Sequence, residues 1–227
     1  MGSLLGFLLA LSISLPAFGL GLNDLSHKDA VSGFKEALTQ ASLKASTQLG
    51  VADGFLGNDK VKIPLPDALK RLESGLKLLG MRRQSDELVT AMNRAAEQAV
   101  PQAKALLLEA IKAMSVADVK AILTGGETAA TDYFRRTSGA QLAAKFLPIV
   151  TQVTSQAGLA QQYNRIVQRA AKLGLVQADQ AKIENYVNQK ALDGLFFVIS
   201  EQEKALRRDP VGSATGLARK VFELIGQ

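Results

Sequence analysis

Ser32-x-x-Lys35 and Ser74-x-x-Lys77 each place a hydroxyl and an amine one helical turn apart, the spacing at which a lysine can activate a serine nucleophile. With 14 Ser and 16 Lys in 227 positions, chance alone accounts for about one such match, and the companion motifs of serine acyl-transfer enzymes are absent. His27 is the only histidine, and there is no cysteine. This excludes thiolate nucleophiles, thiolate-bound zinc and iron–sulfur clusters, and the Glu-x-x-His pairs of di-iron bundles. A Ser-His-Asp triad would depend on His27, which reads as a surface residue near the start of the ordered chain. There is no Gly-rich phosphate loop and no dinucleotide fingerprint. No cofactor or metal is expected, and no catalytic residue is assigned.

Two clusters could still bind a ligand. Ala191 to Ile199 is apolar on every side except at Asp193, which predicts a buried central helix. A buried carboxylate needs a partner or takes up a proton. Tyr186, Lys190, Asp193 and Phe197 form one stripe at helical spacing. The stripe reads as the floor of a polar pocket, as a structural ion pair, or as Asp193 capping a second helix at a break with Gly194. The other cluster is Gly125-Gly126 followed by Tyr133-Phe134-Arg135-Arg136. A helix start after two glycines offers amides to an anion, and the arginines add planar donor forks. Tyr133 and Arg136 share a face, while Arg135 points elsewhere; alternatively, one arginine pairs internally with a carboxylate such as Asp193.

The elements that must hold these residues are helices. Val31, Phe34, Leu38, Ala41, Ala45 and Leu49 recur at helical spacing after a Ser26/Asp29 cap pair, and Gly50 stops them. Residues 53–66 form a loop that ends in the extended Val61-Lys62-Ile63-Pro64-Leu65-Pro66. Leu69 to Leu79 is a second helix, and a third is capped by Ser85. Pro101 predicts a kink or a new start, and Ser115 with Asp118 caps a short helix. Further helices are expected at about 127–137, 141–157, 161–172, 179–208 (one piece or two) and 213–225. No stretch alternates with period two long enough for a strand, so the fold class is all-α: an irregular bundle of about eight to nine helices without a sheet.

Leu4 to Leu15 is a short, largely apolar run that ends at Pro16, with Ala17-Phe18-Gly19 after it. That layout predicts a signal peptide over 1–19, cleaved after Gly19, and a single helical domain over 20–227. The run is too short to span a membrane, and no later segment is apolar enough, so the cleaved protein is expected in the periplasm or secreted, not in a membrane. The net charge is +6. Residues 1–127 hold 14 basic and 13 acidic side chains, a net of +1, and residues 128–227 hold 13 and 8, a net of +5. The basic second half could meet an anionic lipid or a small anion. No nucleic-acid motif is present.

Several blocks carry a resemblance. Asp53-Gly54-Phe55, Val61 to Pro66, Met92-Asn93-Arg94-Ala95-Ala96-Glu97, Ala129 to Arg136 and Lys190 to Phe196 resemble, in the same order, the signature blocks of the bacterial family called domain of unknown function 4197. The resemblance runs from about Gly33 to Phe222 and implies an exported helical protein with no assigned activity. Its blocks coincide with parts of both clusters and add Asn93, Arg94 and Glu97. The candidate ligand-binding residues are therefore Tyr133, Arg135, Arg136, Asn93, Arg94, Tyr186, Lys190 and Asp193. The leading expectation is a non-enzymatic envelope protein that binds an anionic or amphipathic ligand. The first alternative is a structural or interaction module with an envelope protein as partner. The second is a hydrolase-like enzyme working without His or Cys.

Overall fold

The computed structural model describes residues 27–70, 80, 82–172 and 182–209. Every regular element among them is helical: α1 (His27–Leu49), α2 (Asp67–Lys70), α3 (Arg82–Ala99), a 3-10 turn (Val100–Gln102), α4 (Ala103–Ala113), α5 (Val116–Leu123), α6 (Ala129–Gln156), α7 (Leu159–Lys172) and α8 (Ile183–Arg208). Six helices of eleven residues or more carry the described part, rather than eight to nine. The expected signal peptide, the Ser26 cap, residues 71–79 of the second helix, the start of the 179–208 helix and the helix at 213–225 lie outside the described residues.

Local signals set most of the boundaries. α1 ends at Leu49, and Gly50 then lies so close to the next turn that a Cβ would stand 2.8 Å from Pro101 Cγ. Pro101 interrupts the chain as a 3-10 turn between α3 and α4. Ser115 and Asp118 form a complete capping box at the start of α5. Ser85 departs from its expected role: α3 begins three residues earlier, and Ser85 is a buried side chain inside it.

The larger departure is α6, which joins 127–137 and 141–157 into one helix of 28 residues with Pro148 inside. Proline deletes the bond to Ala144 O, but Ala144 and Pro148 are both exposed, so water can serve that carbonyl. The opposite face buries Phe134, Leu142, Phe146 and Val150. This packing outweighs the local cost of the proline.

α8 is the central element, packed on α6, α1 and α3. It runs unbroken through Gly194, so Asp193 caps nothing. Gly194 is required by packing: a Cβ there would lie 2.6 Å from Phe55 Cε1. Phe34, Phe55, Phe134, Phe146 and Phe196 are fully buried in a single core cluster. Each contributes roughly 1.5–3 kcal/mol relative to exposure, so few aromatics suffice.

Candidate functional site

The loop after α1 is held as in a clamp. Asp53 takes a left-handed backbone (φ 65°) and turns the chain so that Phe55 enters the core. The Phe55 and Leu56 amides then donate to Glu97 Oε1 at 3.0 and 3.1 Å. Arg94 closes the turn, donating from Nη1 to Glu97 Oε2 at 2.7 Å and from Nη2 to Asp53 Oδ1 at 2.8 Å. The two carboxylates hold the guanidinium charged, Glu97 more strongly than Asp53.

The extended end of the loop has a different problem. Pro64 and Pro66 donate nothing, and among the described residues no strand lies alongside, so side chains meet the backbone groups. Buried Asn93 supplies both halves of a strand-like pairing: Ile63 N donates to its Oδ1 at 2.8 Å, and its Nδ2 donates to Ile63 O at 2.9 Å. The Tyr186 hydroxyl donates to Pro64 O at 3.0 Å. Lys190 Nζ lies 5.8 Å from the Tyr186 ring. Asn93, Arg94 and Tyr186 are thus brought together around one loop, with Lys190 one helical turn from Tyr186.

The remaining sequence-predicted residues sit elsewhere. Arg135 lies over the Phe196 ring at 4.7 Å and stands 3.6 Å from Asp193 Oδ1, which also accepts from Gln189 Nε2 at 3.1 Å. Asp193 is not buried: its side chain is 42% exposed, because α8 turns this one edge to solvent between apolar faces. The expected loss on Asp193→Ala is accordingly small, at most about 1 kcal/mol, as for exposed ion pairs, and chemical denaturation measures it. Arg136 covers the Tyr133 ring at 5.7 Å, so this pair and Arg135 face different ways.

The amides at the start of α6, expected to hold an external anion, are already taken. Ala130 N and Thr131 N each donate to the Glu203 carboxylate at 2.9 Å, and the Thr131 hydroxyl adds a third bond. Arg207 Nη2 bonds Glu203 at 3.0 Å and Ile122 O at 2.9 Å, tying the end of α5 to the same point. Sequence reasoning missed this pair; its only local trace is the four-residue spacing of Glu203 and Arg207. Lys35 is similarly occupied, donating to Lys112 O and Met114 O at the end of α4. That removes it as a base for Ser32, while Ser74 and Lys77 lie outside the described residues. Among the described residues no three His, Cys, Asp or Glu side chains converge on a metal position.

Burial pushes Tyr186 up to about 12, with the Asp67 carboxylate adding to the effect. Burial also raises Tyr133 and Tyr163, and Asp118 adds to the rise at Tyr133 while Arg136 opposes it. These are all the tyrosines of a chain without tryptophan. A raised folded value means the protonated form is favoured by folding. That stability is full below the ordinary value of 10 and is lost as pH rises toward 12. Phenolate absorbance should thus stay low in the folded protein past pH 10, and Tyr186→Phe should flatten the alkaline fall in stability. A phenolate titration with every midpoint near 10 contradicts both.

One wall of an open groove of about 610 Å³ comes from the clamped loop. Leu56, Pro64 and Leu65 form its apolar side; Lys62, Lys70 and Arg82 stand around it, with Asp59 and Asp86 as counter-charges.

No curated protein and no solved structure matches the chain. Residues 24–223 match the family described as "Protein of unknown function (DUF4197)". All the signature blocks named above lie inside that span, and the chain belongs to this family.

Proposed function

We propose that this protein is a non-enzymatic, exported protein of the cell envelope that binds an anionic amphipathic ligand, with the groove beside the clamped loop as its seat. The observation that carries this is the groove itself: an apolar side, three cations, and a wall held in place by Asn93, Arg94, Glu97 and Tyr186. Apolar surface takes acyl carbons and the cations favour a negative head group. On this reading the family blocks position a binding wall rather than perform chemistry. Acid–base catalysis by Tyr186 loses support, because a phenol near 12 is poorly matched to proton transfer at neutral pH. Export is supported by the apolar run before Pro16 and by the family match beginning downstream of it. No described helix is long and apolar enough to cross a membrane.

The test is native mass spectrometry with lipid extraction on protein from the bacterial envelope, followed by binding to vesicles with and without phosphatidylglycerol. The expected result is a co-purifying anionic lipid or preferential binding to anionic vesicles. Lys62→Glu/Lys70→Glu should abolish that binding without moving the unfolding midpoint, since both side chains are exposed. A bare mass together with indifference to anionic vesicles ends this reading.

One observation favours a second reading, an interaction module for an envelope protein: the clamp is complete without any ligand. That reading predicts a specific partner in periplasmic crosslinking and no cargo.

A further inference from the structure

α1 and the last turns of α8 leave an open groove of about 830 Å³ between them, on a different part of the surface from the one at Lys62. Its apolar side is made by Ala41 and Leu43 on α1 and by Ala205 and Leu206 on α8. The two alanines are small enough for another helix to come close, and Leu43 and Leu206 are only half covered by the rest of the chain. Asp209 lines the same groove, and there α8 ends: its backbone has left the helical conformation (φ −132°, ψ 79°), and Pro210 cannot continue the helix. The chain therefore sets out for residues 210–227, which lie outside the described residues, from the rim of an uncovered apolar groove.

We propose that residues 213–225 of this chain are the occupant, a helix that turns back from Asp209 and lies in the groove antiparallel to α8. The sequence fits the seat in three ways. Ala214, Leu217, Ala218, Val221, Leu224 and Ile225 fall on one side of such a helix, with Thr215, Arg219 and Glu223 opposite, and an apolar face of this kind has to be buried. The lengths agree: at roughly 1.5 Å per residue, Leu217 to Ile225 spans about 12 Å, as does the groove wall from Gln40 to Gln48. The connection agrees as well, since 210–212 is within the roughly two to five residues that join antiparallel helices. The family match runs on to residue 223, so most of this segment belongs to the same domain as the groove.

The experiment uses the full chain, whose lack of cysteine lets an introduced pair report alone. An antiparallel return from Asp209 sets Val221 beside Gln202. Under mild oxidation Gln202→Cys/Val221→Cys should close a disulfide within one chain, whereas Gln202→Cys/Arg219→Cys, on the far side of the new helix, should not. Hydrogen exchange supplies a second readout. The amides of 217–225 should exchange at least about a hundredfold more slowly than in an unfolded chain. Ala205→Arg sits at an exposed position of α8, keeps a good helix former there and fills the groove. It should bring those amides to within about threefold of unfolded rates while Ala130 and Thr131 stay protected. Equal disulfide yields from the two pairs, no disulfide from the first, or exchange at 217–225 unmoved by Ala205→Arg each overturns the assignment. A disulfide that forms only between chains does so too, since it gives the groove to a second copy. Protection that arises only on anionic vesicles likewise overturns it, because it seats the segment on a lipid surface.

Discussion

Glu203→Ala should lower the unfolding free energy by about 3–5 kcal/mol, the cost of breaking a buried ion pair from one side. Glu203 is 2% exposed and accepts from two backbone amides, one hydroxyl and the Arg207 guanidinium. Alanine leaves Ala130 N and Thr131 N without an acceptor at the positive end of a 28-residue helix. It also leaves Arg207, with 14% of its side chain exposed, without its carboxylate. At roughly 2–4 °C per kcal/mol for a chain of this size, the melting midpoint should drop by about 10 °C. Arg207→Met alone should cost less, because Glu203 keeps its helix amides. The double variant should be less damaged than the two single effects added together, since no lone charge remains. Urea denaturation of the four proteins measures this, and a cost below about 1 kcal/mol for Glu203→Ala refutes the capping account.

Asn93→Ala is the second large effect, expected at about 2–4 kcal/mol. Asn93 is fully buried and makes three hydrogen bonds, to Ile63 N, Ile63 O and Val89 O. Truncation orphans both backbone groups of Ile63 and leaves a cavity beside it. Unlike Glu203→Ala, it strikes one loop, so the loss should first show as local opening. Hydrogen exchange at the amides of Phe55, Leu56 and Ile63 should accelerate well before that of α6 and α8. Because Leu56, Pro64 and Leu65 line the groove, anionic-vesicle binding should weaken in the same variant. Protected loop amides in Asn93→Ala would show that the loop is held by its apolar anchors alone, Phe55 and Val61.

Much of the fold was legible because short-range physics decides it. Gly50, Pro101 and the Ser115/Asp118 pair mark boundaries by their own backbone preferences. Phe34, Leu38, Leu88, Met92 and Phe146 announce their buried faces by spacing alone. The gap expected between 137 and 141 misled, because the packing of Phe134, Leu142 and Phe146 that carries α6 through it is not local, while Pro148 sits inside a helix as expected. Asp193 misled for a related reason: apolar neighbours on both sides imply burial of the helix, yet leave open one edge wide enough for a carboxylate. Among the candidate residues, Asn93, Arg94 and Tyr186 do converge, but on the chain's own loop. Glu203 was invisible because its partners lie 73 positions away, and a Glu-x-x-x-Arg spacing looks like any solvated helix face.

The jaws of the clamp are far apart in sequence, Tyr186 reaching Pro64 across 122 positions. A chain made from its N-terminus at roughly 5–20 residues per second therefore holds Pro64 on the order of ten seconds before that partner exists. Gly194, whose missing side chain leaves room for Phe55 and Val61, emerges later still. Throughout that interval the faces of α1, α3 and α6 that α8 covers stay bare. Closure is thus a late, long-range event, and the native state cannot assemble piecemeal from its front end. If the proposed export holds, this is an asset, because a chain that closes only when α8 has arrived stays threadable through a secretion pore. The same delay obliges the cell to shield it, so depletion of holdase chaperones should fall heavily on this protein.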